Sequence, residues 1–296
     1  MAGRIHEEAT DTWDDRVAVD RFTGKGGHFI RGRARLTGPG EVTVDTPNGQ
    51  RVLRASRGVV IAAGTEPATH PSLALAGTPY LTNREAVETE RVPDSLIVLG
   101  GGAIGAELAQ VFARFGAVVT VVEALAGLLP AGEPETSELL AAVFAREGIG
   151  VRTGVLAERV GHDCGRFAVS LADGGTLTSS RLLVAAGRRT DLAALGVVTA
   201  GIDDTAGFIA TDPGCAPSAT SGRSATSPAR ARSPMSRWTR PVSPSGTSSA
   251  SPGRNRITAR CRGHLHRPRD RAAGLTEAQA RDQGMAVRTG TSSLPS

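Results

Sequence analysis

The stretch Ser95-Leu96-Ile97-Val98-Leu99-Gly100-Gly101-Gly102-Ala103-Ile104-Gly105 joins a short apolar run to a glycine cluster and then to a helical pattern. Ser95–Leu99, bounded in front by Pro93-Asp94, has the length and composition of a buried strand. From Ala103 to Phe115 the apolar residues Ile104, Leu108, Val111, Phe112 and Phe115 fall on one helical face, and Gly116 supplies a stop. The glycines between therefore occupy a strand-to-helix junction in the pattern GxGxxG. There each has a physical task. Gly100 makes the tight turn, Gly102 lets a pyrophosphate come close to the backbone, and Gly105 lets helix and strand pack closely. The helix start adds unpaired N–H groups and partial positive charge, both suited to phosphate.

A dinucleotide site also needs an acidic residue about 20 positions on, at the end of the second strand. Glu123 stands there, after the run Val118 to Val122. A carboxylate accepts both hydroxyls of the adenosine ribose and repels a 2′-phosphate. No Arg or Lys occurs between Glu123 and Arg146, so NADH is expected in preference to NADPH. Further on, Pro134 to Glu147 reads as a second helix with acids in its first turn and Gly148 after it. Strands follow at Ile149 to Arg152, Val155 to Val160, Phe167 to Leu171 and Leu182 to Ala186. Strand, helix, strand, helix, strand is a βαβαβ unit, which demands parallel pairing with helical crossovers. The fold class is α/β, with a Rossmann-like NAD-binding domain at 91–213.

Outside this unit the texture changes. Residues 1–90 read as short strands and turns: Arg16 to Val19, His28 to Leu36, Glu41 to Asp45 and Gln50 to Leu53. The run Gly58 to Gly64 reads as a buried strand opening into a tight turn. Residues 214–273 carry twelve Arg, eleven Ser and seven Pro against a single acid, Asp270. No apolar period survives there, so disorder is expected. At 274–296 ordinary composition returns, with Thr276 as a helix cap and Gly284 as a stop.

Charge follows the same division. The net charge of +5 comes from 34 cations and 29 acids, but with 214–273 set aside 22 cations face 28 acids. The bulk of the chain is acidic, and the overall charge is no sign of nucleic-acid binding. A basic nucleic-acid-binding role would rest on 214–273, where Trp238 is the one aromatic residue and no reading module is visible. Aromatics make up only 3% of the chain, so the core must be built on Ala, Val and Leu. No run reaches the roughly 18 apolar residues of a membrane helix. The first residues have no apolar signal core, which sets a cytoplasmic protein as the expectation. Three widely spaced cysteines, Cys164, Cys215 and Cys261, fit neither a disulfide framework nor a zinc cluster, so no metal site is expected.

GGGAIGAE with VTVVE, and LLVAAGRRTD at 182–191, resemble the NAD domain of class I flavin-dependent pyridine nucleotide–disulfide oxidoreductases, the family of dihydrolipoyl dehydrogenase and mercuric reductase. VVIAAGTEP at 59–67 resembles the family's second flavin-contact segment, and TPYLTNREAV at 78–87 its linker into the NAD domain. GLTEAQARDQGMAVRTG at 274–290 resembles the start of its dimerisation domain. The resemblance implies a partial FAD-binding domain at 1–90, with Gly64 near FAD. It implies NAD held by Gly100, Gly102, Gly105 and Glu123, with Gly187 at the nicotinamide end. Glu107 lies in the first turn of the helix, where an acid favours the helix N-terminus. By the resemblance it faces the flavin and partners a lysine beside the redox cysteines. A homodimer is likewise implied.

The sequence also departs from the family. The family's own FAD glycine motif and its cysteine pair four residues apart are not found, nor is its closing His–Glu pair. No catalytic residue of the disulfide relay is therefore assigned, and NAD binding without catalysis is the alternative reading. The family's AxGD motif belongs in 214–273 and does not occur there. Of the 34 cations only Lys25 is lysine, which points to a GC-rich coding sequence. Read from the third base of the Gly222 codon, such codons make Ala-Val-Gly-Asp-Val-Thr-Gly available over Gly222 to Pro228. A frameshift that resumes near Ala272 accounts for both the composition and the missing motif. An authentic basic linker is the rival.

Overall fold

The computed structural model of the chain describes residues 5–9, 11–68, 73–210, 225–226, 261–263 and 271–290. Apart from short pieces at 225–226, 261–263 and 271–273, the stretch 214–273 lies outside the described residues, and the expectation of disorder lies there with it. The chain divides into two units. One comprises Met1–Ala68, Glu88–Arg91 and Arg188–Pro234; the other comprises Thr69–Val87, Val92–Gly187 and Met235–Ser296.

In the first unit, β1 (Arg33–Gly38), β2 (Glu41–Thr46) and β3 (Gly49–Arg54) form an antiparallel meander. Pro39-Gly40 turns β1 into β2, and Gly40 takes the φ of +71° that the second position of a Pro-Gly turn requires. Leu36 of β1 packs with Leu192, Val197, Ile202 and Ile209, so this core closes only with residues far along the chain. The run Arg16 to Val19, read as a strand, is instead the start of a helix, Arg16–Thr23. Its alternation fits either state. Without a neighbouring strand an extended run leaves its N–H and C=O groups unpaired, whereas a helix pairs them internally. No residue of this helix is buried.

The run Gly58–Gly64 also departs from expectation. Only β4 (Val59–Val60) is a strand, paired in parallel with Ala225–Thr226. Val59 and Ile61 pack against the core, but Val60 is 71% exposed. Its side of the run has no covering element among the described residues. A short strand, β5 (Glu66–Pro67), then pairs with Arg188–Arg189.

The second unit holds β6 (Ser95–Leu99), β7 (Val118–Glu123), β8 (Gly150–Thr153), β9 (Ala157–Asp163), β10 (Arg166–Leu171), β11 (Thr176–Ser179) and β12 (Arg181–Val184). A parallel sheet runs β12-β6-β7-β8, and an antiparallel sheet runs β11-β10-β9. Strand alternation sends alternate side chains to opposite faces. Leu96, Val98, Val119 and Val121 face the helices Ala103–Arg114 and Pro134–Arg146, where they meet Ala106, Ala109, Phe112, Leu140 and Phe144. Ile97, Leu99, Val122, Leu182 and Val184 face the antiparallel sheet through Val160, Phe167 and Val169. Burying each large apolar side chain contributes about 1.5–3 kcal/mol, so both faces of the parallel sheet are firmly held. β11 and the helix Asn83–Glu88 were not expected from the sequence.

Thr276 caps the helix Glu277–Asp282 in a reciprocal box with Gln279, and Gly284 follows at φ +76°. Thr276→Ala is expected to cost this helix about 1 kcal/mol. Faster hydrogen exchange at the Gln279 amide measures it; unchanged exchange would contradict the cap.

Candidate dinucleotide-binding site

At the carboxyl end of β6 the chain turns sharply. Gly100 stands at φ +107° and donates its N–H to the Val122 carbonyl at 2.8 Å. A Cβ on Gly100 would lie 2.4 Å from the Ala185 carbonyl oxygen, because the segment after β12 runs directly beside it. At Gly105 a Cβ would lie 1.9 Å from the Gly100 carbonyl oxygen. This is the close helix–strand approach expected of the third glycine. Gly102 differs from both. Its φ of −70° and ψ of −176° suit any residue, and a Cβ there would meet nothing within 4 Å. The chain itself therefore places no demand for glycine at 102, while a phosphate group drawn up to the backbone does. Gly102 is also the N-cap of the helix Ala103–Arg114, and no side chain caps it. The first-turn N–H groups have no partner within the helix.

Glu123 ends β7, with the carbon chain of its side chain packed beside Gly101. A Cβ on Gly101 would meet Glu123 Cβ at 3.1 Å and Leu128 Cδ2 at 2.7 Å. Glu123 is 8% exposed. Its Oε2 accepts the Gly101 N–H at 2.6 Å and its Oε1 accepts the Leu125 N–H at 2.9 Å. Two backbone donors thus hold the carboxylate in one orientation, and each oxygen keeps a further lone pair for a hydroxyl. The role of Gly101 and the Leu128-Leu129 pair was not read from the sequence. The one available signal was a third consecutive glycine where the pattern leaves the residue free.

The parallel sheet brings the glycine turn after β6 and Glu123 at the end of β7 to the carboxyl ends of its two inner strands. Gly187 lies two residues beyond Ala185, whose N–H bonds the Leu99 carbonyl at 2.7 Å; it is exposed, at φ +128°. Glu107 sits half-buried in the helix, beyond the first turn where the sequence placed it, because the helix starts at Ala103 with Gly102 as its N-cap. Gly64 belongs to the first unit. It stands exposed at φ +73° and lines a cleft of about 720 Å³ with Arg31, Arg33, Thr65 and Asp191. Beside it Arg188 donates through Nη2 to the Thr65 carbonyl, which fixes the turn that carries Gly64. Among the described residues no group of His, Cys, Asp and Glu could hold a metal ion, and no helix is long and apolar enough to cross a membrane.

Comparison with known proteins agrees with this geometry. The family described as pyridine nucleotide-disulphide oxidoreductase matches residues 13–221. A dihydrolipoyl dehydrogenase of Chlorobaculum tepidum is 38% identical over 194 residues, covering 64% of this chain and 41% of that protein. A mercuric reductase of Acidithiobacillus ferrooxidans is 35% identical over 187 residues, covering 62% of this chain and 34% of that protein. In structure the chain resembles the Cu(II) complex of a Cys-to-Ser mutant of an HOCl-induced flavoprotein disulfide reductase from Escherichia coli. That likeness has a TM-score of 0.64 at 25% identity, over 69% of this chain and 46% of the other. The chain spans 41% or less of the length of these two curated relatives. Its match to the family nevertheless runs through the meander, the glycine turn and Glu123, and on this footing the chain belongs to the pyridine nucleotide-disulphide oxidoreductases.

Proposed function

We propose that this chain carries the nicotinamide-dinucleotide site of a flavin-dependent reductase and takes NADH in preference to NADPH. The observation that supports the reading best is the contrast among the glycines. Gly100 and Gly105 are required by the chain's own packing, whereas Gly102 faces open space at an uncapped helix start. In this reading the diphosphate sits against Gly102, and the adenosine ribose meets the free lone pairs of Glu123. Members of the family use FAD together with a nicotinamide dinucleotide. When both are bound, the nicotinamide supplies a hydride that the flavin accepts and passes on as electrons to a disulfide or a metal ion such as Hg(II). The residues of this chain orient the dinucleotide for that transfer. For the flavin the described residues offer the Gly64 turn and its cleft, without a second diphosphate-binding glycine turn. The sequence holds no pair of cysteines separated by four residues and no closing His–Glu pair, so binding of NADH without turnover is proposed for this chain alone. A yellow protein with stoichiometric flavin and NADH-driven reductase activity would overturn that part.

The preference for NADH rests on charge. A 2′-phosphate would meet the Glu123 carboxylate, held in place and only 8% exposed, with no Arg or Lys before Arg146 to offset the repulsion. Titration of NADH and NADPH by their fluorescence is expected to show at least about a tenfold preference for NADH, or 1.4 kcal/mol. Equal affinities would remove the basis for it.

The frameshift in 214–273 remains a proposal as well. The family match ends at Ser221, one residue before the codon at which the second frame was read, which supports it. The nucleotide sequence tests it directly: without a compensating pair of insertions or deletions relative to close relatives, 214–273 is an authentic linker.

A further inference from the structure

Leu129 is 4% exposed and stands at φ +50°. A branched apolar residue enters this left-handed region only when its surroundings hold it there. Its N–H donates to the Gly101 carbonyl at 2.9 Å, and its own carbonyl accepts the Gly132 N–H at 2.8 Å. The neighbouring Leu128 lies over Gly101, where a Cβ would meet its Cδ2 at 2.7 Å. The two leucines therefore grip the glycine turn from the core side. In a trans peptide the C=O and N–H point in opposite directions. The bond that draws the Gly101 carbonyl toward Leu129 thus turns the Gly102 N–H the other way. A Cβ built on Gly102 meets nothing within 4 Å. The preceding peptide is occupied too, because the Gly101 N–H is taken by Glu123 Oε2.

We propose that Leu129, held in its left-handed conformation, is a positioning residue that aims the Gly102 amide at the diphosphate of a bound dinucleotide. The proposal rests on the dinucleotide reading above and adds the residue that sets the donor's direction. A peptide fixed beforehand loses no rotational freedom when the phosphate arrives, so the donor acts at full strength.

The test uses the full chain and two ligands, ADP-ribose and adenosine, measured by competition against NADH fluorescence. Both carry the ribose that Glu123 would meet, and only ADP-ribose carries the diphosphate. Leu129→Val places a β-branched residue where φ must be positive. It is expected to weaken ADP-ribose by at least about tenfold and adenosine by no more than about twofold. Leu129→Gly adopts φ +50° freely and keeps the N–H. It is expected to bind ADP-ribose like the unsubstituted chain, even though it loses more buried side chain and melts lower than Leu129→Val. Binding and stability then move in opposite directions across the pair, which a purely structural role does not produce. If Leu129→Val does not fold, hydrogen exchange on the unsubstituted chain decides. The Leu129 amide should exchange slowly throughout, while the Gly102 amide exchanges fast and is slowed by ADP-ribose but not by adenosine. Parallel loss of both ligands in Leu129→Val, loss of ADP-ribose in Leu129→Gly, or a Gly102 amide indifferent to ADP-ribose overturns the proposal. An unsubstituted chain that binds neither ligand overturns the dinucleotide reading itself, and the role of Leu129 with it.

Discussion

Gly105→Ala is expected to destabilise the second unit severely, while Gly102→Ala, three residues earlier, should leave it folded but unable to bind NADH. The two methyl groups meet opposite surroundings. At Gly105 the new Cβ would sit 1.9 Å from the Gly100 carbonyl oxygen and 3.3 Å from Val98 Cγ1. The first of these is backbone at the root of the glycine turn, so no flexible side chain can yield. The helix Ala103–Arg114 would have to lift off β6, at a cost of about 3 kcal/mol or more, visible as a lower urea midpoint. At Gly102 the methyl finds open space and an ordinary extended backbone, so the midpoint should hold within about 0.5 kcal/mol. In the proposed reading it occupies the place of the phosphate, so NADH affinity should fall at least about a hundredfold, near 2.7 kcal/mol. Unimpaired NADH binding by Gly102→Ala would show that the turn is no phosphate seat. A stable Gly105→Ala would show that helix and strand do not approach as described.

Phe144→Ala should be among the most damaging core truncations in the second unit, together with the equally buried Phe167. Phe144 is fully buried on the inner face of the helix Pro134–Arg146, in one cluster with Leu140, Ile149, Val119 and Val121. Truncation removes the ring and leaves a cavity between helix and sheet, for about 3–5 kcal/mol. Against a typical domain stability of about 5–15 kcal/mol, that is enough to unfold a marginal chain at modest urea. The same cluster contains Leu128 and Leu129. Urea unfolding followed by circular dichroism reads the effect; a loss below about 1 kcal/mol would mean the helix does not pack on the sheet at Phe144.

What could be read in advance was governed by local pattern. The strand Ser95–Leu99, the helix after it and Val118–Glu123 each carry a strong periodicity, and their order demands the parallel sheet that forms. Glu123 could be placed because its position follows from counting one strand–helix–strand unit. The Arg16–Thr23 helix could not, since Arg-Val-Ala-Val alternates as well as it spirals, and the choice depends on whether a neighbouring strand exists. The brief strand at Val59–Val60 was overestimated for a related reason: an apolar run predicts burial only if something covers both of its faces. The clasp of Glu123 on the Gly101 amide and the left-handed Leu129 leave no mark in composition or period. They arise when the segment after β7 folds back over the turn, and only the three-dimensional arrangement shows them.

The core around Leu36 has a consequence for how the protein is made. Leu36, Val42, Val59 and Ile61 emerge early from the ribosome, yet Leu192, Val197, Ile202 and Ile209, which complete their packing, follow more than a hundred residues later. At synthesis rates of about 5–20 residues per second, the meander waits on the order of ten seconds or more with its apolar side uncovered. In that interval the stretch Val92–Gly187 is synthesised. Chaperone capture of nascent chains should therefore peak while that middle stretch is being translated, and subside once Ile209 has left the exit tunnel.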